Sequence, residues 1–166
     1  PYRHGLSRRP PLHRLVLTPT LVLTVAAGWC PTLFISLRRD PQALVRGEMW
    51  RLLSPVLIQA DALRDGGWWR VVVVLLMVAV VIAVGQQAFG AKRCLLLYGL
   101  GALVGHGVGA LWDPYGSGCS VAGCGILGGI AGWLLRAQPL RVKVGAAFWI
   151  ALGGVATLLR DIHGPP

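Results

Sequence analysis

Residues 71–84 read Val71-Val72-Val73-Val74-Leu75-Leu76-Met77-Val78-Ala79-Val80-Val81-Ile82-Ala83-Val84, an apolar run with no charged or polar side chain in it. Apolar and polar residues do not alternate here, as they would in a half-buried strand. With the tryptophans ahead of it, the segment Trp68 to Val84 approaches the roughly 20 residues a helix needs to cross a hydrocarbon core about 30 Å thick. The whole chain has the same character. Hydrophobic residues make up 55% and charged residues 13%, and the mean hydropathy is +0.64, whereas a soluble domain is about 25% charged because its surface must be solvated. At 166 residues there is room for one bundle and for no separate second domain.

Further apolar runs lie on both sides of this one. The first span is expected over Leu15 to Leu37, bent or interrupted by Pro19, Gly28 and Pro31. The stretch Arg38 to Gly67 is amphipathic, with Trp50, Leu52, Leu53, Val56, Leu57 and Ile58 among charges, as expected for short helices lying in the interface. After the Trp68–Val84 span, others are expected over Cys94–Trp112, Gly118–Leu135 and Val142–Leu159, and Arg160–Pro166 would open a sixth. The expected fold is therefore an all-α membrane protein: five visible transmembrane helices plus the start of a sixth, with an interfacial helical first loop. Residues 1–14 form a basic N-terminal arm and residues 15–166 the membrane domain, cut off at the sixth span. The chain opens on Pro1 and stops at Pro165-Pro166 beside a polar cluster, as expected of a fragment of a longer protein. The first apolar segment is long enough to remain as a span, so no cleavable signal is required.

The formal net charge is +10, but the cations sit before and between the apolar runs. There they set topology and meet anionic headgroups. No basic patch with interleaved aromatics stands apart from the spans, so nucleic acid is not an expected partner. The N-terminal arm (Arg3, Arg8, Arg9, Arg14), the Lys92-Arg93 turn and the Arg136–Lys143 turn are basic, and the Asp113–Ser117 turn has no cation. The positive-inside rule places the N-terminus in the cytoplasm, with the arginines of the long first loop as an exception. The preference for Arg over Lys, with abundant Ala, Gly and Val, points to a GC-rich bacterial genome and so to a bacterial plasma membrane. The cysteines Cys30, Cys94, Cys119 and Cys124 lack metal-ligand spacing and read as small packing residues. No metal or cofactor is expected.

Glycines recur at intervals of four at Gly101, Gly105 and Gly109, and the next span has Gly125, Gly129 and Gly132, four and three apart. Small residues so spaced share a helix face and let two backbones approach. Two neighbouring spans with the pattern predict a tightly packed pair; the alternative is that glycine is simply common in membrane helices.

Two polar residues could carry chemistry. Ser120, in Gly118-Cys119-Ser120-Val121-Ala122-Gly123-Cys124-Gly125, opens the fourth span among small neighbours. The backbone N–H groups of that first turn could hold an oxyanion, but capping alone would also explain the serine. His163 follows the fifth span on the same expected side of the membrane as Ser120. It is either a general base for that serine or an ordinary interfacial histidine.

These segments resemble the rhomboid intramembrane serine proteases. Gly118-Cys119-Ser120-Val121 followed by Ala122, Gly125, Gly128 and Gly129 is similar to that family's Gly-x-Ser-Gly and Ala-x-x-Gly-x-x-Gly-Ala elements. Val121 stands where the family has glycine, and Gly129 where it has alanine. Gly47-Glu48-Met49-Trp50-Arg51-Leu52-Leu53-Ser54-Pro55 resembles the Glu-x-Trp-Arg-Leu-Leu-Thr-Pro signature of the first loop, and His163-Gly164 resembles the catalytic histidine opening the sixth span. The resemblance implies Ser120 as nucleophile, His163 as base, Gly118, Cys119 and Val121 around the oxyanion, and Glu48, Trp50 and Arg51 as the loop motif. The implied partners are the lipid bilayer and a transmembrane protein, substrate or client, with the oligomeric state left open.

The chain also departs from that pattern. Rhomboids carry a His-x-x-x-Asn pair in the second span, whereas Trp69 to Met77 holds neither residue, and Gly85 to Gly90 lacks the family's acidic residue. Loss of one oxyanion donor costs about 10²–10³ in rate. His106 in the third span could replace a donor or be a packed polar residue between helices. Asp161 could orient His163, or with Arg160 anchor the interface; Gln59, Trp68 and Trp69 read as interface residues. Two functions follow: an intramembrane serine endopeptidase that cuts transmembrane helices near the outer face with a Ser-His dyad, or an inactive rhomboid-like protein that binds such helices or serves as a membrane-complex subunit.

Overall fold

A computed structural model describes residues 11–137, 139, 143–147 and 150–151. The described chain is all-helical: α1 (Leu12–Trp29), α2 (Pro31–Leu37), α3 (Pro41–Val45), α4 (Ala60–Phe89), α5 (Ala91–Trp112) and α6 (Ser120–Ala137), with two 3-10 turns at Met49–Leu52 and Ser54–Leu57. Among the described residues, three helices are long and apolar enough to cross a membrane: Leu12–Trp29, Gly67–Phe89 and Ala91–Leu111. Residues 143–147 are helical, but most of the expected fifth span, and His163 with the expected sixth, lie outside the described residues, as do residues 1–10 of the basic arm.

The first expected span is interrupted where the prolines suggested. Cys30 leaves the helix (φ −120°, ψ 94°), and Pro31 begins α2, since a proline fits the first position of a helix and not its interior. Of these two pieces, only α1 is long enough to cross. Pro19 lies within α1. Next to it, Thr20 Oγ1 donates to the Val16 carbonyl (2.9 Å), and about one turn on Thr24 Oγ1 donates to the Thr20 carbonyl (2.7 Å), so both buried hydroxyls are satisfied inside a span. The helix α4 has a break at Gly67 (φ 70°) that separates a short leading segment from the crossing part.

In the crossing part of α4 the apolar residues divide into two faces. Val71, Val78 and Ile82 are buried, whereas Val72, Val73, Leu76, Met77 and Val80 are exposed. An outward face this apolar would be a liability in water; in a bilayer it meets lipid. The interior cluster is formed by Val78, Ile82, Cys94, Tyr98, Ala102, Ala122 and Ile126, among others, and so joins α4, α5 and α6.

The most extensive helix pair is α5 with α6, and small residues make it. A Cβ on Gly101 would lie 2.7 Å from the Gly125 Cα, and one on Gly125 would lie 2.5 Å from the Leu97 carbonyl oxygen. Both obstacles are backbone, which cannot swing aside as a side chain can. The tight pair expected from glycine spacing is thus present at Gly101 and Gly125, while Gly132 meets no heavy atom within 4 Å. The apolar part of α6, Ser120–Arg136, is shorter than the three crossing helices. It lies against both α4 and α5.

Candidate functional site

One end of the bundle is closed by two loops that dock on each other: residues 30–59 after α1, and Asp113–Cys119 between α5 and α6. The first loop is organised by its motif. Arg51 is buried; its Nε donates to Glu48 Oε2 (2.8 Å), and its Nη1 donates to the carbonyls of Ile35 (2.6 Å) and Arg38 (3.1 Å). Ser54 Oγ donates to the Leu37 carbonyl (2.8 Å). The last carbonyls of a helix have no partner within it, and Arg51 and Ser54 supply partners at the end of α2. Glu48 and Arg51 are therefore brought together and have a structural role. Trp50, 56% exposed, stands apart from them, as an indole anchoring at a membrane interface does.

A buried arginine ties the two loops together. Arg39 donates through Nε to the Asp113 carbonyl (2.8 Å), through Nη2 to that carbonyl and to Asp113 Oδ2 (2.8 Å), and through Nη1 to His106 Nδ1 (3.1 Å). Its backbone N–H donates to the Gly116 carbonyl (3.2 Å). Beside it, the Arg38 guanidinium lies 4.7 Å from the Tyr115 ring centroid and 5.7 Å from that of Phe34, both within cation–π range. His106 is thus a packed polar residue committed at Nδ1 to Arg39, the second of the two roles its position allowed.

The turn held this way leads into Ser120. Gly118 donates its N–H to the Pro55 carbonyl (2.9 Å) and has φ +146°, a conformation that L side chains rarely adopt. Cys119 precedes the helix and its carbonyl accepts from the Gly123 N–H (3.1 Å), so the first-turn N–H groups ahead of Gly123 lie outside the helical ladder. Cys119 and Val121 are fully buried on either side of Ser120, which is half-buried at the start of α6. The sequence places Ser120 at a helix start; the fold adds a buried turn in front of it, hydrogen-bonded to the first loop.

Gln59 does not stand where its sequence context suggests. It is 4% exposed, not an interface residue. Its backbone N–H donates to Thr24 Oγ1 (2.8 Å), and its Nε2 donates to Cys119 Sγ (2.9 Å). A polar residue between two apolar stretches gives no local hint of a partner sixty positions away, so only the docking of the loops reveals it. Trp68 and Trp69, by contrast, are exposed at the start of the crossing part of α4. Among the described residues no group of three or more His, Cys, Asp or Glu could hold a metal ion.

The chain matches no protein-family model and no curated protein sequence.

Proposed function

We propose that this chain is an intramembrane serine endopeptidase of the rhomboid type. Ser120 attacks the scissile carbonyl of a transmembrane helix, and His163 takes the serine proton and returns it to the leaving amine. The oxyanion is met by backbone N–H groups of the first turn of α6. The observation that carries this reading is the setting of Ser120: a half-buried serine at the start of an apolar helix, behind a glycine turn pinned by Pro55 and beside a buried glutamine carboxamide. The charge pattern supports an N-terminus in the cytoplasm and a site near the outer face of a bacterial plasma membrane.

A second reading is a rhomboid-like protein that binds transmembrane helices without cutting them, alone or as a subunit of a membrane complex. It is favoured by Val121, which is buried where the family has glycine, and by α4, which contains neither histidine nor asparagine.

A serine-directed fluorophosphonate separates the two readings. The protease should be labelled in lipid nanodiscs, and the label should be lost in Ser120→Ala and in His163→Ala. A folded parent protein that takes no label sinks the protease reading and leaves the binding one.

A further inference from the structure

Gln59 is held at its backbone and at its side chain. Its backbone N–H is fixed to Thr24 on α1, and its Nε2 reaches Cys119 Sγ, one residue before Ser120. The space beside Gly118 shows where it faces. A Cβ on Gly118 would stand 3.3 Å from Gln59 Oε1, 3.5 Å from Gln59 Nε2 and 3.6 Å from Ser120 Oγ. The carboxamide and the serine hydroxyl therefore border one side of the same glycine. A Cβ there would press closely on Oε1 alone, so it is the φ of Gly118 that calls for glycine.

A primary carboxamide has two N–H donors, and the bond to Cys119 occupies one of them. Thiol sulfur is also a weak acceptor, so that bond is given up readily to a stronger one. A buried neutral donor beside a nucleophile matches what developing negative charge requires, because its position is set in advance and water does not compete.

We propose that Gln59 is an oxyanion donor of this site, its side-chain N–H acting together with the first-turn N–H groups of α6. This rests on the serine-protease reading. As the Ser120 Oγ–carbon bond forms, the carbonyl π pair moves to oxygen and the serine proton passes to the base. On collapse that pair re-forms the carbonyl, the C–N bond breaks, and the amine leaves with the proton. Gln59 hydrogen-bonds the charged oxygen throughout and neither gains nor loses a proton. The role also accounts for a working site in a chain whose α4 lacks the paired histidine and asparagine.

The test is the saturation kinetics of Ser120 labelling by an alkyl fluorophosphonate, whose phosphoryl oxygen gains charge as a carbonyl oxygen does. Gln59→Met keeps length and removes the donors; Gln59→Leu removes them on a shorter side chain, in case the first variant does not fold. The maximal labelling rate should fall about 10²-fold or more, with half-saturation within roughly threefold of the parent, as for an interaction made only in the transition state. Gln59→His, which keeps a ring N–H, should recover part of the rate. A folded Gln59→Met or Gln59→Leu labelled as fast as the parent overturns the donor role and leaves the protease standing. The donor role is equally overturned if Thr24→Val, which loses the backbone tether but keeps the carboxamide, lowers the maximal labelling rate as far as Gln59→Met does. A folded parent that takes no label overturns both.

Discussion

Arg39 Nη1 donates to His106 Nδ1 over 3.1 Å, and this fixes the tautomer of the imidazole. Arginine has no acceptor, so Nδ1 accepts and the ring proton sits on Nε2. The same guanidinium holds the Asp113 carbonyl and carboxylate, so a charge with no solvent exposure sets the loop that runs into Ser120. Replacing Arg39 with Met leaves His106 Nδ1 and the Asp113 carbonyl without this donor. We expect a loss of about 3 kcal/mol, at the low end for a broken buried pair because the Asp113 side chain is half-exposed. Arg39→Lys should recover only part, since a compact ammonium cannot span three acceptors in one plane. Thermal unfolding in nanodiscs measures both.

The contact of α5 with α6 predicts a contrast between glycines. Gly125→Ala puts a methyl group 2.5 Å from the Leu97 carbonyl oxygen and should cost about 1–3 kcal/mol as the helices are forced apart. Gly99→Ala and Gly107→Ala meet no heavy atom within 4 Å and should be neutral or raise stability by up to about 1 kcal/mol. Equal melting shifts for Gly125→Ala and Gly99→Ala would contradict the close approach.

The two buried threonines of α1 should behave differently. Thr24 Oγ1 accepts from the Gln59 N–H, so Thr24→Val strands a buried donor, at about 1–3 kcal/mol. Thr20 Oγ1 only bonds back to its own helix, so Thr20→Val leaves no donor unpaired and should shift stability by less than about 0.5 kcal/mol. Hydrogen exchange of the Gln59 amide, faster in Thr24→Val alone, is the direct check.

Asp40 ties part of the first loop to pH. Its carboxylate accepts from the Ala43 N–H (3.1 Å) and the Gln42 N–H (3.0 Å). The bond from Ala43, then that from Gln42 and the nearby Arg51 and Arg46 charges, hold the carboxyl below its ordinary value of 3.8. A lowered folded-state value means the stabilisation is complete above that ordinary value and is lost as pH falls through the lowered one. Asp40→Ala should cost about 1 kcal/mol at pH 7. Against Asp40→Asn, the advantage of the parent should vanish in melts taken progressively below pH 4.

Much of the bundle was legible because the relevant signals are local. The run at residues 71–84 needed no partner to be read, and Pro31 marked the break after α1. The small faces at Gly101 and Gly125 predicted the pair that formed. What stayed hidden depends on contacts far apart in the chain. Arg39 read as one more loop cation and Gln59 as an interface residue, because nothing near either names Asp113, His106 or Cys119 as a partner. Glu48 and Arg51 were recognisable as a motif, but that Arg51 caps the carbonyls of α2 was not.

The sequence by itself determined that this protein lives in a membrane as helices, because the free energy of moving apolar side chains into lipid sums residue by residue along a run. It also determined which helix faces could come close, since the absence of a side chain is a property of the residue. Only the tertiary structure decided that Gln59 meets Cys119 beside Ser120, and that Arg39 is buried against His106 and Asp113. Those pairings depend on how two loops dock at one end of the bundle. A buried donor takes whichever acceptor the docking brings within reach, and position along the chain does not determine that.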